Sequence, residues 1–324
     1  MEVIPVPCHC EGLIKAIDAY LAKEDDELEL ALEAAGYVDA PETIEHITSL
    51  EDGIAVVLIS ETDYILDSLK DRVDLEEYFS EVWPAIKKNN PTADKLFDLF
   101  WEDFSGYMKP LASKYIAATD AELTVRAVSQ RTTAWAKQWS KDLSELMQLE
   151  SHTQVEKILT TAMDEGQSVA EVTQALMDSG IRNEYVRARK TALTETLRAH
   201  SVANQEAMMQ SPAVVEKEWR HSGAYRNEPR INHVAMQGQR VSKEAAYVLQ
   251  GADGGVYYPL YPRDPSLPAG ESINCHCISQ PIVSEEILGL PIEERRLLQE
   301  EALAAMDDAW EEELYLKNKA LAGL

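Results

Sequence analysis

Residues 219–241, WRHSGAYRNEPRINHVAMQGQRV, and 258–283, YPLYPRDPSLPAGESINCHCISQPIV, bound a polar segment that an ordinary core helix or strand would not carry. Arginine, histidine, proline, glycine and a Cys275-His276-Cys277 triplet stand together in it, which marks a built site or a built scaffold. Val214 to Trp219 alternates like a short strand, and Gly238-Gln239-Arg240-Val241 reads as a turn entering another. Gly251, Gly254 and Gly255, then Pro259, Pro262, Pro265 and Pro268, mark a long irregular excursion. The chain returns as a strand in NCHCISQPIV, with Ile278, Gln280 and Ile282 on one side and Cys277 and Ser279 on the other. A loop this long inside a compact domain is usually functional or mobile.

Upstream the pattern is helical. Asn183 to about Met209 places Ala188, Ala192, Ala199 and Ala203 close to one face, where small residues permit close packing, and Pro212 stops the helix. Ser168-Val169-Ala170-Glu171 fits a capping box, with Gly166 ending the preceding helix and Gly180 ending the capped one. Asp120 is the expected cap of a helix with a stripe of Val128, Trp135, Trp139, Leu143 and Leu146. Ile54 to Ile59 reads as a short strand, and Pro41, Pro84, Pro91 and Pro110 fall at helix starts or breaks. After Leu290-Pro291 an acidic helix follows, with Leu297, Leu298, Leu303, Met306 and Trp310 along one side. The fold class is α+β, predominantly helical, with a small antiparallel sheet in the C-terminal domain.

The 324 residues suffice for two domains with real cores. A formal charge of −27 repels nucleic acid at long range and argues against free-standing DNA binding. Residues 181–240 carry +4 and the remainder −31. Within that window Arg187, Arg189, Lys190 and Arg198 form a candidate basic interaction face, for which the alternative is a solvated helix face of arginines paired with nearby glutamates. The longest apolar run, Ile54 to Ile59, is far short of the ~20 residues that span a bilayer, and no secretory signal pattern opens the sequence, so a cytoplasmic protein with no membrane contact is expected. The four cysteines sit in two triplets, Cys8-His9-Cys10 and Cys275-His276-Cys277, unlike a secreted disulfide framework.

His233, Cys275, His276 and Cys277 are the metal candidates, because thiolate and imidazole are the ligands zinc prefers. In a strand Cys275 and Cys277 share a face, although Cys-x-x-Cys is the commoner zinc spacing. A redox-sensitive thiol pair and a pair of inert buried cysteines are the alternatives. Cys8 and Cys10 would add ligands if the N-terminus folded back onto this strand. His233 follows Arg230 by three residues, a spacing that can grip a carboxylate, phosphate or carbonyl, while Glu195 to Arg198 is the spacing of a structural ion pair. No nucleophile elbow, His-Glu-x-x-His or phosphate-cradling loop is present in the sequence, and no catalytic residue is assigned.

Taken with RARKTALTETLRAHSVANQEAM at 187–208, the segment resembles the phage Mu F-protein-like head morphogenesis family of minor head, or minor capsid, proteins. The resemblance rests on Thr194, Glu195 and Arg198, then Lys217 and Trp219, Arg230 and His233, Gly238, and finally Asn274, Cys275 and Cys277. One departure is Ser222-Gly223-Ala224-Tyr225, where many members carry an acid. The resemblance implies a non-catalytic docking module in the virion head or procapsid, present in the host cytoplasm during assembly. Its implied partners are the portal, scaffolding or major capsid protein, and packaged DNA. The residue patterns divide the chain into a helical domain at 1–150, the family-like domain at 151–283 and an acidic helical tail at 284–324. A different class, a zinc-dependent or ADP-ribosyltransferase-like toxin enzyme, is the alternative, with Glu216-Lys217-Glu218 as its paired acids.

Overall fold

The computed structural model describes residues 24–179, 184–221 and 229–321. Cys8-His9-Cys10, Gly180 and Ser222 to Tyr225 lie outside the described residues. Helix α1 (24–35) leads into α2 (Ala40–Leu69), the short α3 (Leu75–Glu77), one π turn at Tyr78–Val82 and α4 (Trp83–Asn89). Then come α5 (Thr92–Thr119), α6 (Gln130–Glu165), α7 (Val169–Met177) and α8 (Glu184–Gln210). The C-terminal part holds β1 (Val214–Arg220), α9 (Ile231–Ala235), β2 (Arg240–Ser242), β3 (Leu249–Gln250), β4 (Val256–Tyr257), α10 (Ala269–Ser272) and β5 (Ile278–Val283). Helices α11 (Glu285–Leu288) and α12 (Ile292–Leu321) follow. The α+β, mainly helical class is the observed one.

Helix α8 is the axis of the molecule. Its alanines at 188, 192, 199 and 203 are fully buried, and α2 and α5 pack closely along it. One core joins Leu28, Ile54, Phe100, Phe104, Leu143, Leu197 and Ile278, so residues from both sides of position 150 share it, and α6 runs unbroken through that position. A second core gathers Trp83, Val155, Leu159 and Val172 where α4, α6 and α7 meet. In the three-stranded sheet β1 lies between β2 and β5, antiparallel to both, with Trp219 opposite Ser279.

Several local expectations are corrected. Ile54 to Ile59 is helical within α2: Ile47, Leu50, Ile54, Leu58 and Ile65 are buried at helical spacing while Val56 points outward, and a six-residue apolar run by itself fits either period. Ser129 caps α6 by accepting from the Thr132 amide, and Asp120 ends α5 instead. Leu146 is exposed, since α6 buries Ala136, Ser140, Leu143, Ser144 and Met147. Pro110 stands inside α5, which continues through it between the buried Met108 and Leu111. The excursion after Ser242 contains the β3–β4 hairpin, turned at Gly251–Gly255. Arg295 and Gln299, not Leu297 and Leu298, are the buried positions of α12: Arg295 pairs with Asp120 and Glu122, and Gln299 donates to the Thr124 carbonyl. The Ser168 and Glu171 capping box forms, and Gly166 ends α6 in the left-handed region.

Candidate functional site

The buried polar face of α8 ties the helical body to the sheet. Glu195 accepts from Arg198 Nε at 2.9 Å and from Trp139 Nε1 at 2.7 Å, and the Arg198 guanidinium lies 4.5 Å from the centre of the Trp139 ring. Arg198 also donates to the Arg263 carbonyl. About two turns on, Asn204 donates to the Ser279 carbonyl of β5 at 2.6 Å, and Glu206 accepts from the Ser129 amide and hydroxyl at the start of α6. Lys217 reaches back from β1 to Gln205 Oε1 at 3.0 Å and the Leu260 carbonyl at 2.8 Å. Burial pushes its ammonium down to about 8. His200, among Thr43, Tyr107 and Tyr115, is held neutral by burial and the nearby Arg263 cation.

A thiol and imidazole centre forms further along the same face of β1 that carries Lys217, around Trp219. Trp219 is fully buried and packs edge-on against both His233 and Tyr247, with ring centres at 5.8 and 5.2 Å. His233, on α9, places Nδ1 3.5 Å from Cys275 Sγ and 3.7 Å from Cys277 Sγ. Its Nε2 donates to Glu271 of α10 at 2.8 Å. His221, at the end of β1, places Nδ1 3.5 Å from Cys277 Sγ. Both sulfurs are buried. The Cys277 thiol, with His233 and Arg263 behind it, holds Cys275 well below the ordinary thiol range, and Cys277 rises in turn. Burial opposes charge on His233, but its contacts with Cys275 and Glu271 outweigh that and raise it.

The backbone around the two cysteines is clamped from behind. Arg263 is fully buried, sits at φ 65°, and donates to the carbonyls of Cys275 at 2.5 Å and Cys277 at 2.9 Å and to Ser201 Oγ at 2.6 Å. Tyr37, just after α1, donates to the carbonyls of His276 and Cys277 at 3.1 and 3.0 Å. Asn274 enters the triplet at φ 55°, a region asparagine tolerates better than most residues, and Gly238 turns towards β2 at φ 81°. Arg230 donates to the Ile273 carbonyl at 2.6 Å.

The eleven motif residues therefore meet in two linked places. Glu195, Arg198 and Lys217 belong to the α8 network, where Thr194 is buried on the same helix with no hydrogen-bond partner for its hydroxyl, and Trp219, Arg230, His233, Asn274, Cys275 and Cys277 belong to the thiol centre, with Gly238 in the turn beside it. His276 is outside the metal-competent group, which comprises His233, Cys275 and Cys277 among the described residues. The basic face does not assemble. Arg198 is buried on Glu195, Arg189 pairs with Asp25 and Glu51, and Arg187 donates to Ser151, which leaves Lys190 exposed. On β1, Glu218 pairs with Arg240 and Lys217 lies in the interior, so the paired-acid motif is divided by a buried cation. Arg263, Glu271 and His221 carry no signal in the sequence, and Trp139 reads there only as part of an apolar helix stripe. A cavity of about 720 Å³ between α6, α8 and α12 is lined by Trp135, Met209, Tyr261 and Met306 and touches none of the motif residues.

A two-layer scaffold of this kind, a helical body locked by buried arginine, lysine and glutamate onto a small sheet with a thiol and imidazole core, defines a structural class of domain. The family model described as phage Mu protein F like protein matches residues 153–280. Over 308 residues the chain is 33% identical to uncharacterized protein YqbB of Bacillus subtilis (strain 168), covering 92% of this chain and 99% of that protein. The chain belongs to the phage Mu protein F-like family, a structural family associated with phage head morphogenesis. No solved structure matches it. Among the described residues no helix is long and apolar enough to cross a membrane.

Proposed function

We propose that this protein is a minor head protein of a phage or prophage that joins the procapsid near the portal as a non-catalytic docking module. The observation that supports this reading is that eight of the eleven motif residues are buried, and seven of these, Glu195, Arg198, Lys217, Trp219, His233, Cys275 and Cys277, are spent on one another or on neighbouring groups of the interior. Residues used this way hold a shape. Recognition then falls to the acidic exterior, including α12, which exposes Glu293, Glu294, Glu300, Glu301, Asp308 and Glu311 to Glu313. A basic surface on the portal, scaffolding or major capsid protein is the matching partner, and DNA would be met only through such a protein.

The test is to isolate procapsids from a producing culture and wash them in rising salt. Co-sedimentation at physiological ionic strength, with release by about 0.5 M salt, where the screening length falls to roughly 4 Å, is expected. Retention unchanged at that salt would refute the charge-based contact, and absence from procapsids at every salt would refute the head assignment.

A further inference from the structure

We propose that Cys275, Cys277, His233 and His221 form a closed tetrahedral zinc site, with Glu271 as the outer carboxylate that orients His233. The donor atoms of His233, Cys275 and Cys277 already lie within 4.8 Å of one another, and His221, beside Cys277 at 3.5 Å, would swing in as the fourth ligand on binding. With bonds of about 2.3 Å to sulfur and about 2.0–2.1 Å to nitrogen, tetrahedral angles put neighbouring sulfur and nitrogen ligands about 3.5 Å apart. The three sulfur to nitrogen distances are 3.5 Å for Cys275 and His233, 3.7 Å for Cys277 and His233, and 3.5 Å for Cys277 and His221. One imidazole nitrogen thus faces two sulfurs and one sulfur faces two imidazole nitrogens. A single cation placed among these donors would take all three contacts at once.

The surroundings fix His233 and the two cysteines in advance. Glu271 accepts from His233 Nε2, which leaves the Nδ1 lone pair directed at the sulfurs. Glu271 is itself held by the Ala252 amide at 2.8 Å and Asn232 Nδ2 at 3.0 Å. Arg263 and Tyr37 fix the carbonyls between and beside the two cysteines, so the uncommon Cys-x-Cys spacing needs no rearrangement of the backbone. Four protein ligands leave no open position, which assigns a structural role: the ion would clip the end of β1, α9 and the approach to β5 to one another. On binding, the two sulfur to proton bonds are replaced by two sulfur to zinc bonds, two protons leave to solvent, both imidazoles donate as neutral ligands, and no electron moves.

The experiment uses the full-length protein, purified anaerobically, with metal content measured after exhaustive dialysis and after exchange of zinc for cobalt. One zinc per chain is expected, and the cobalt form should show thiolate charge transfer in the near ultraviolet with the intense visible bands of a tetrahedral site. Cys275→Ser and Cys277→Ser should lose both. Should either serine variant fail to fold, two others carry the test. His221→Ala should keep the thiolate band with altered visible bands, and Glu271→Gln should bind zinc about 10–100-fold more weakly. The double variant Cys8→Ser/Cys10→Ser should bind as the unmodified chain does. Folded protein without a cobalt thiolate band, a Cys275–Cys277 disulfide in the anaerobic preparation, unchanged binding in Glu271→Gln and His221→Ala, or loss of metal in the Cys8/Cys10 variant would each overturn the assignment.

Discussion

Replacing Arg263 with methionine removes the group that fastens the cysteine triplet to α8. Three hydrogen bonds from a buried cation are lost, to the carbonyls of Cys275 and Cys277 and to Ser201 Oγ. Each bond to a charged group is worth roughly 1.5–3 kcal/mol, or about 4–9 kcal/mol in total. The loss is smaller than that sum, because Tyr37 still serves the Cys277 carbonyl and methionine refills most of the volume. The expected destabilisation is about 3–5 kcal/mol, a large part of the roughly 5–15 kcal/mol that holds a typical protein folded. Urea unfolding followed by circular dichroism should show a lower midpoint with an unchanged slope, since the surface exposed on unfolding is the same. Arg263→Lys should recover only part of the loss, because one ammonium cannot reproduce the planar fork that spans two carbonyls and a hydroxyl. A loss below about 1 kcal/mol in Arg263→Met would mean that these three hydrogen bonds do not hold the triplet in place.

Other outcomes follow from single residues. Lys217 titrates near 10.5 when unfolded and about 8 in place, so between those values the unfolded chain binds more protons and folding is favoured as pH rises. The stability of the unmodified chain relative to Lys217→Met should therefore climb by roughly 3 kcal/mol from pH 8 to 10.5, and a flat or falling difference in pH-dependent denaturation would contradict the buried cation. At Asn274, φ 55° predicts that Asn274→Gly melts within a few tenths of a kcal/mol of the parent while Asn274→Ala loses about 1 kcal/mol; equal losses in calorimetry would remove backbone strain as the cause.

What could be read from sequence was whatever local chemistry encodes. The capping box at Ser168, the alanine ridge of α8, the strands at Val214 and Ile278 and the proximity implied by the motif order all have short-range signals. The Ile54 run misleads because six apolar residues are too few to reveal a helical period, and the thirty-residue helix around them is set by burial against α5 and α8. Arg187, Arg189 and Arg198 read as a basic face because their partners, Asp25, Glu51, Ser151 and Glu195, are mostly distant in sequence. Even the three-residue pair of Glu195 and Arg198 gives no sign that it is interior. His221, Glu271 and Arg263 carry no spacing signal at all. They reach the cysteines through the turn at Gly238, the β3–β4 hairpin and the left-handed backbone at 263, which are tertiary facts.

Counting this protein in purified particles and procapsids by quantitative mass spectrometry, with portal and major capsid protein as internal standards, decides whether it is a minor head protein. A few copies per portal ring, retained in heads that lack DNA, are expected. Absence from every particle, with the protein left free in the producing cells, would contradict that role.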